Sequence, residues 1–528
     1  MDLEHKIKKI LSRWDNGLCP GGQVLVQRGE ERIYEHCFGY ANLEHQVPVT
    51  TDTIFHIASI SKQFTVLSVL LLAQDGLLSL EDDGRNYAGD LISFQEPVTL
   101  RQLCSNVSGI RDQWELLFLR GIKINDSINM EDINTTVRMQ KSLNFPPQEG
   151  YLYSNTGFHL LSVIVERLSK MSFPEFVKQR IFTPLGMEHS LIRQSFSQII
   201  PHLAYSYQDE GSGQYFYNPL NYSLYGPTAV NTCARDLMKV LNEYEHPSHF
   251  DPELLHTLFV PAVLKDGTSI EYCAGMMTDH FHGMTVYEHG GADAAYRGHM
   301  FWIPEEKLKI ILLGNTNTYL ASRAARKIAE AVLGLKPEGE DPEALIAGES
   351  ASAGPLALDC GTEPALSEPA AGLYTTSLPH DPLTVEIFQK DGLYYMKREY
   401  CNTPLLSGKD GLFHVGCLDE TICFHNGWIE YCPGSKSLRL DLAVPAAASS
   451  ASLPCGSFYQ EETDCTLEIR QKGEQLTISH LRYGTAPLYL TKGGQWIFSF
   501  NPDFTMYLTK CGDGLELNGY RVRKMNLK

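Results

Sequence analysis

Ser59-Ile60-Ser61-Lys62 sets a hydroxyl and an amine three residues apart, ahead of an apolar run from Phe64 to Ala73. Positions three apart share one face of a helix, so both groups project together at its N-terminus. A serine hydroxyl needs a neighbouring base before it becomes a nucleophile at neutral pH. A lysine whose pKa is depressed by burial or by other cations is such a base. The helix N-terminus adds partial positive charge where an oxyanion would form. Ser59 is the only serine in the chain with a lysine three residues on.

Two further elements extend the pair. Tyr153-Ser154-Asn155 follows the turn-like Pro146-Pro147-Gln148-Glu149-Gly150 and precedes a helix starting near Thr156. A tyrosine beside a buried lysine can relay protons, and an asparagine can bind both a lysine and a substrate amide. His289-Gly290-Gly291-Ala292 continues the strand pattern Val286-Tyr287-Glu288. Glycines there let a substrate approach the backbone, and a strand edge offers N–H groups to an oxyanion. Each element alone is common; the three in this order point to acyl transfer through a serine.

The elements that must position these groups are legible from period and punctuation. Gly22 to Arg28 and Arg32 to Phe38 form a hairpin around Gly29-Glu30. Helical patterns run over Phe158 to Lys170 and Ser172 to Ile181, and strands over Met284 to Glu288, His299 to Ile303 and Leu308 to Leu313. A helix from Leu320 to Leu333 has Asn317 and Thr318 as capping candidates and Gly334 as its stop. Strands at both ends of this region with helices between them predict an α+β unit over 1–335. Residues 336–370, rich in Pro, Ala, Glu, Gly and Ser, read as a linker, and 444–454 as a shorter one.

The segments on either side of the second linker repeat each other. Thr384 to Lys390 matches Thr466 to Lys472, Thr403-Pro404-Leu405 matches Ala486-Pro487-Leu488, and Gly411-Leu412-Phe413 matches Gly494-Gln495-Trp496. Both alternate apolar and polar residues with turns at Asp391-Gly392 and Gly473-Glu474, which predicts two small antiparallel β modules, 371–443 and 455–528. Their expected role is scaffold or dimerisation.

Composition narrows the partners. A net charge of −19 repels phosphate backbones and excludes nucleic acid. No apolar run is long enough to span a bilayer, so no membrane partner is expected. Met1 to Trp14 is charged and amphipathic, without the apolar core and cleavage site of an export signal. Thirteen cysteines, an odd number at irregular spacings, fit reduced thiols in a cytoplasm. No metal or cofactor is expected: there is no CxxC pair, and His280-Phe281-His282 falls short of a ligand set. A small-molecule or short-peptide substrate remains, with a homodimer as the default assembly.

Taken together, the motifs resemble the serine β-lactamase and penicillin-binding-protein superfamily, in its class C-like branch. Phe38 to Glu44 leading to Thr53 to Ser59, Ile181 to Met187, and His289 to Arg297 are similar to that family well beyond the motifs. The layout with two C-terminal β modules is closest to bacterial D-aminopeptidases, whose two modules are eight-stranded barrels, the second contributing a loop to the catalytic pocket. The resemblance implies a β-lactamase/transpeptidase-like domain, an antiparallel sheet flanked by helices plus a helical subdomain, followed by two small antiparallel β-barrels.

It also implies Ser59 as nucleophile, Lys62 as its proton acceptor and Tyr153 as the proton shuttle. Asn155, His289, Gly290, Gly291 and Arg297 would bind substrate, and the N–H groups of Ser59 and Ala292 would form the oxyanion hole. The third motif has His289 where β-lactamases and carboxypeptidases use lysine, and an unperturbed histidine is mostly neutral at pH 7. A substrate carboxylate there lacks a counter-ion unless Arg297 reaches in. This favours N-terminal residues, amides or esters. Relatives read His-Thr-Ser-Gly where this chain has Asn106-Val107-Ser108-Gly109, and often glycine at Ala295. The expected activity is an aminopeptidase or amidase releasing an N-terminal D-residue through an acyl-enzyme. The alternatives are an esterase or transacylase, and a non-catalytic binder that is acylated without turnover. An ammonium pocket would need an acid, for which Asp112 and Asp293 are the candidates.

Overall fold

The computed structural model describes residues 2–123, 125–209, 214–336, 368–376, 384–397, 402–408, 412–415, 420–432, 438–446, 453–491, 494–501, 504–511, 514–519 and 525–527. Most of the two expected linkers, 337–367 and 447–452, lies outside the described residues. The described chain groups into two compact units. The first holds Met1–Gln113, Asn125–Gln208 and Tyr215–Glu338; the second holds Trp114–Ile124, Asp209–Gln214 and Gly339–Lys528.

The first unit is built on a six-stranded antiparallel sheet. Its strands are β1 (Gly22–Arg28), β2 (Glu31–Phe38), β3 (Met277–Phe281), β4 (Met284–Asp293), β5 (Tyr296–Ile303) and β6 (Leu308–Gly314), in the order β3-β4-β5-β6-β1-β2. The sheet thus joins strands from both sequence ends of the unit, as the pattern of strands and helices required. Helices α1 (Leu3–Leu11) and α5 (Ala321–Leu333) bury Ile7, Leu11, Ala325 and Ile328 with Val26, Ile303 and Ile310 of the sheet. Asp2 caps α1 through the backbone N–H of His5, and Gly334, at φ 68°, ends α5. Neither Asn317 nor Thr318 caps α5; Leu320 holds that position without a side-chain bond.

Three more helices complete the frame of the site: α2 (Lys62–Gln74), α3 (Asn155–Ser169) and α4 (Ala234–Glu245). Helix α2 is apolar all round and buried from Lys62 to Leu72, which makes it the central helix of the unit. It packs against α3, whose first eleven residues are also buried.

In the second unit, eight antiparallel strands between Gly372 and Pro445 form a barrel closed by pairing of Gly372–Thr375 with Leu438–Pro445. Its core holds Tyr374, Val385, Ile387, Phe413, Phe424 and Leu440. The second module comprises a four-stranded sheet, Gly456 to Pro487, and a meander from Tyr489 to Leu527, around one core. The repeated segments occupy matching places: Thr384–Lys390 and Cys465–Lys472 each begin a hairpin, with Asp391, Gly392 and Gly473 left-handed at the turns.

The modules differ in one respect that the repeat did not announce. A short helix, Gln113–Leu119, contributes Leu116 and Leu119 to the second module's core beside Leu467, Ile478 and Leu508. His480 Nε2 donates to the Leu119 carbonyl at 3.1 Å, and the Tyr483 hydroxyl to the Ile122 carbonyl at 3.0 Å. The first bond satisfies a carbonyl at the helix C-terminus that has no partner within the helix, and the second holds the turn that follows it.

Candidate active site

Ser59 does not lie in α2 but in the 3₁₀ turn Ala58–Ser61 that leads into it. In a 3₁₀ turn, residues three apart eclipse, so Ser59 and Lys62 face one another more directly than in an α-helix. Ala58 is left-handed at φ 47°, an unfavourable conformation for an alanine. The strain sits immediately before the serine and turns it out of the chain's path.

Lys62 is fully buried, and its Nζ lies 3.0 Å from Ser59 Oγ, 2.8 Å from Asn155 Oδ1 and 3.0 Å from the Pro227 carbonyl. None of these three is a carboxylate. An ammonium would donate to all three. A neutral amine would donate to the two amide oxygens and accept from the serine O–H, so a proton can cross between Oγ and Nζ without rearrangement. The Tyr153 ring lies 4.7 Å from Nζ and the Phe158 ring 5.3 Å, both presenting a face to it.

Asn155 is held as firmly as the lysine. Its backbone N–H and its Nδ2 both donate to Asp112 Oδ2 at 2.8 Å, and Asp112 is completely buried. Asn106, left-handed at φ 58°, accepts the Ser154 N–H at 3.0 Å, and the Arg111 carbonyl accepts from Ser154 and Thr156. The 106–112 loop thus fixes the Tyr153-Ser154-Asn155 element. Asparagine in place of the family's histidine at 106 suits a left-handed position. Asp112 is engaged in this role, which removes it as a candidate for an ammonium pocket.

The third element lies on β4. Pairing of β3 with β4 stops at Met277–Glu288, whereas β4 continues beside β5 to Asp293. Residues 289–293 therefore keep one edge unpaired with β3. Gly291 packs against the turn before the serine: a Cβ there would lie 2.2 Å from the Ile57 carbonyl oxygen. This close approach brings the Ala292 backbone beside Ser59.

His289 is 3% exposed, with Nδ1 at 2.7 Å from the Gly290 carbonyl and Nε2 at 3.4 Å from the Tyr272 hydroxyl. Burial, reinforced by the charge of Lys62, pushes its pKa down to about 3. The imidazole is neutral at physiological pH. Arg297 does not supply the missing cation: its Nη1 donates to the carbonyls of Ala294 and Tyr296 at 3.2 and 2.7 Å, and burial lowers its pKa to about 10.

Sequence reasoning missed Tyr272 and Pro227. The Tyr272 ring packs edge-on against Tyr153 at 6.0 Å and against His289 at 6.0 Å, wedged between the second and third motifs. It lies in a loop with no periodic signal, and Pro227 acts through a backbone carbonyl that any residue would supply. His189, Cys233 and Asp236 bring potential metal ligands together, but Asp236 already accepts from Lys239, His189 N and Ser190.

Comparison with known proteins agrees with this geometry. The Beta-lactamase family model matches residues 7–335. The chain belongs to the Beta-lactamase family. It is a serine hydrolase by that membership. Penicillin-binding protein 4* of Bacillus subtilis is 30% identical over 331 residues, 60% of this chain and 73% of that protein. The D-aminopeptidase of Gluconobacter oxydans is 29% identical over 342 residues, 64% of this chain and 63% of that enzyme. The chain thus matches less than two thirds of the length of that D-aminopeptidase. Among solved structures, an octameric penicillin-binding protein homologue from Pyrococcus abyssi aligns over 100% of both chains, with TM-score 0.58 and 21% identity. A D-amino acid amidase from Ochrobactrum anthropi SV3 aligns over 63% of this chain and 99% of its own, with TM-score 0.53 and 22% identity. These two likenesses establish the fold: a β-lactamase-like α+β domain followed by β-barrel structure. Among the described residues no helix is long and apolar enough to cross a membrane.

Proposed function

We propose that this serine hydrolase works through an acyl-enzyme on Ser59 and releases an N-terminal D-residue from small peptides or amides. Lys62 takes the Ser59 proton as Oγ attacks the acyl carbon. The N–H groups of Ser59 and Ala292 receive the oxyanion. Tyr153 passes the proton to the leaving amine and then activates the water that frees the acid. Asn155 holds Lys62 in register, and its remaining Nδ2 hydrogen is available to a substrate carbonyl.

The observation that carries this reading is the Lys62 Nζ bridge, 3.0 Å to Ser59 Oγ and 2.8 Å to Asn155 Oδ1. Choice of substrate rests on the neutral His289 and the self-engaged Arg297, which leave a substrate carboxylate without a counter-ion. Relatives named D-aminopeptidase, at 28–29% identity, favour an amino-terminal D-residue. The same neutral site suits an uncharged ester, so an esterase or transacylase is the second reading. Ten described cysteines are free thiols, which suits a reducing cytoplasm.

Initial rates on D-alanine p-nitroanilide, its L-enantiomer and a short-chain p-nitrophenyl ester test this, with Ser59→Ala beside wild type. Preference for the D-amide, lost in the variant, is the expected result. Ester cleavage alone would replace the aminopeptidase reading with the esterase one. A stable adduct without turnover would leave only an acylatable binder.

A further inference from the structure

Asp293 follows directly on Ala292, the residue whose N–H would receive the oxyanion. Its Oδ2 accepts from three donors: His56 Nε2 at 3.1 Å, Thr228 Oγ1 at 3.1 Å and the Tyr222 hydroxyl. A carboxylate only accepts, so His56 is the Nε2–H tautomer, and all three groups converge on one oxygen. Oδ1 accepts no hydrogen bond from the described residues, yet it is not among the buried atoms lacking a partner. The side chain is 22% exposed. One oxygen is therefore clamped and the other is open.

The clamp draws its members from segments that adjoin the active-site residues in sequence. Thr228 follows Pro227, whose carbonyl accepts from Lys62 at 3.0 Å, and His56 precedes the strained turn into Ser59 by two residues. Arg297 feels the charge of Asp293, but its Nη1 donates to the carbonyls of Ala294 and Tyr296. Three donors on one oxygen favour the ionised carboxylate. An anion fixed this rigidly, next in sequence to the oxyanion donor and with one oxygen left open, fits a positively charged group on the acyl side of the substrate.

We propose that Asp293 Oδ1 receives the α-ammonium of the substrate and so sets the preference for a free N-terminus. This rests on the aminopeptidase reading and adds the residue that would impose it. The sequence offered Asp112 and Asp293 as equal candidates; the first is consumed by Asn155, and the second keeps an open oxygen.

The test compares D-alanine p-nitroanilide with propionyl p-nitroanilide, which lacks only the ammonium, in wild type, Asp293→Asn and Asp293→Glu. The quantity read is the ratio of their kcat/KM values. Loss of a charge-assisted bond lowers that ratio roughly 10–100-fold in Asp293→Asn, chiefly through KM for the ammonium substrate, with partial recovery in Asp293→Glu. A purely structural role would lower both rates together and leave the ratio unchanged, which overturns the proposal. Should Asp293→Asn fail to fold, Asp293→Glu, which keeps the charge, and Asp293→Ser, which removes it, are read by the same ratio. If wild type turns over only the substrate lacking the ammonium, the aminopeptidase reading itself fails, and the proposal with it. If wild type prefers the ammonium and the variants keep that preference, the reading stands and Asp293 is excluded.

Discussion

Gly291→Ala tests whether close packing of β4 on the nucleophile turn creates the site. The added Cβ would stand 2.2 Å from the Ile57 carbonyl oxygen, with the Ile57 carbonyl carbon at 3.1 Å. Both atoms are backbone, so no side chain can swing aside. A tolerable carbon–oxygen contact requires about 3.0–3.4 Å, and the strand and turn must therefore part by about 0.8–1.2 Å. The Ala292 N–H moves with the strand and Ser59 with the turn, so the displacement falls on the oxyanion geometry. Loss of one oxyanion donor costs about 3–4 kcal/mol in the barrier, and a misplacement of about 1 Å costs about a hundredfold in rate. The expected result is a fall in kcat of about a hundredfold, measured with the p-nitrophenyl ester. Gly290→Ala is the comparison for stability: its Cβ would meet His299 Nδ1 at 3.6 Å and the Gly298 carbonyl oxygen at 4.0 Å, both ordinary contacts. Its melting temperature should stay within a few degrees of wild type, while that of Gly291→Ala falls further. A Gly291→Ala protein with kcat within threefold of wild type would refute the reasoning.

Other perturbations read other parts of the structure. Burial holds His159 near pKa 4 and His289 near 3, both below the ordinary value of 6.5, so the unfolded chain binds more protons between these limits. The stability these neutral histidines contribute is complete above about pH 6.5 and falls below it, by roughly 1.4 kcal/mol per pH unit for each. Urea midpoints between pH 7 and 5 should drop accordingly; a flat profile contradicts the neutral assignment. Asp112→Asn removes the charge that holds two donors of Asn155, and should cost about 1.5–3 kcal/mol in urea unfolding along with a fall in kcat. Unchanged stability would show that this buried carboxylate is not the anchor of Asn155. Leu116→Ala, a fully buried side chain in the second module's core, should cost about 2–5 kcal/mol in the unfolding of that unit. A loss below 1 kcal/mol would contradict its place there.

The candidate site was legible in the sequence because its side chains stand at short spacings. Ser59 with Lys62, Tyr153 with Asn155, and His289 with two glycines are local patterns, and the structure gathers them around one lysine. Five of the sheet's six strands were legible because they alternate or run apolar between clear turns; the sixth, Met277–Phe281, was not among them. What stayed hidden acts at long range or through the backbone. Pro227 contributes a carbonyl, and Tyr272 meets both other motifs from an aperiodic loop. The insertion of Gln113–Leu119 into the second module was also hidden, because an apolar helix of seven residues does not declare which core it joins. The repeat that suggested two β modules carried no sign of a helix joining one of them from another part of the chain. Asp112 and Asp293 looked alike in sequence; only their hydrogen-bond partners separate them.

The central claim is that Ser59, activated by Lys62, carries the acyl group. Intact-protein mass spectrometry of enzyme mixed with a p-nitrophenyl ester, followed by peptide mapping, tests it directly. Wild type should show an acyl adduct on the peptide containing Ser59, Ser59→Ala should show none, and Lys62→Ala should accumulate it far more slowly. An adduct on another residue, or hydrolysis that survives in Ser59→Ala, would contradict the account.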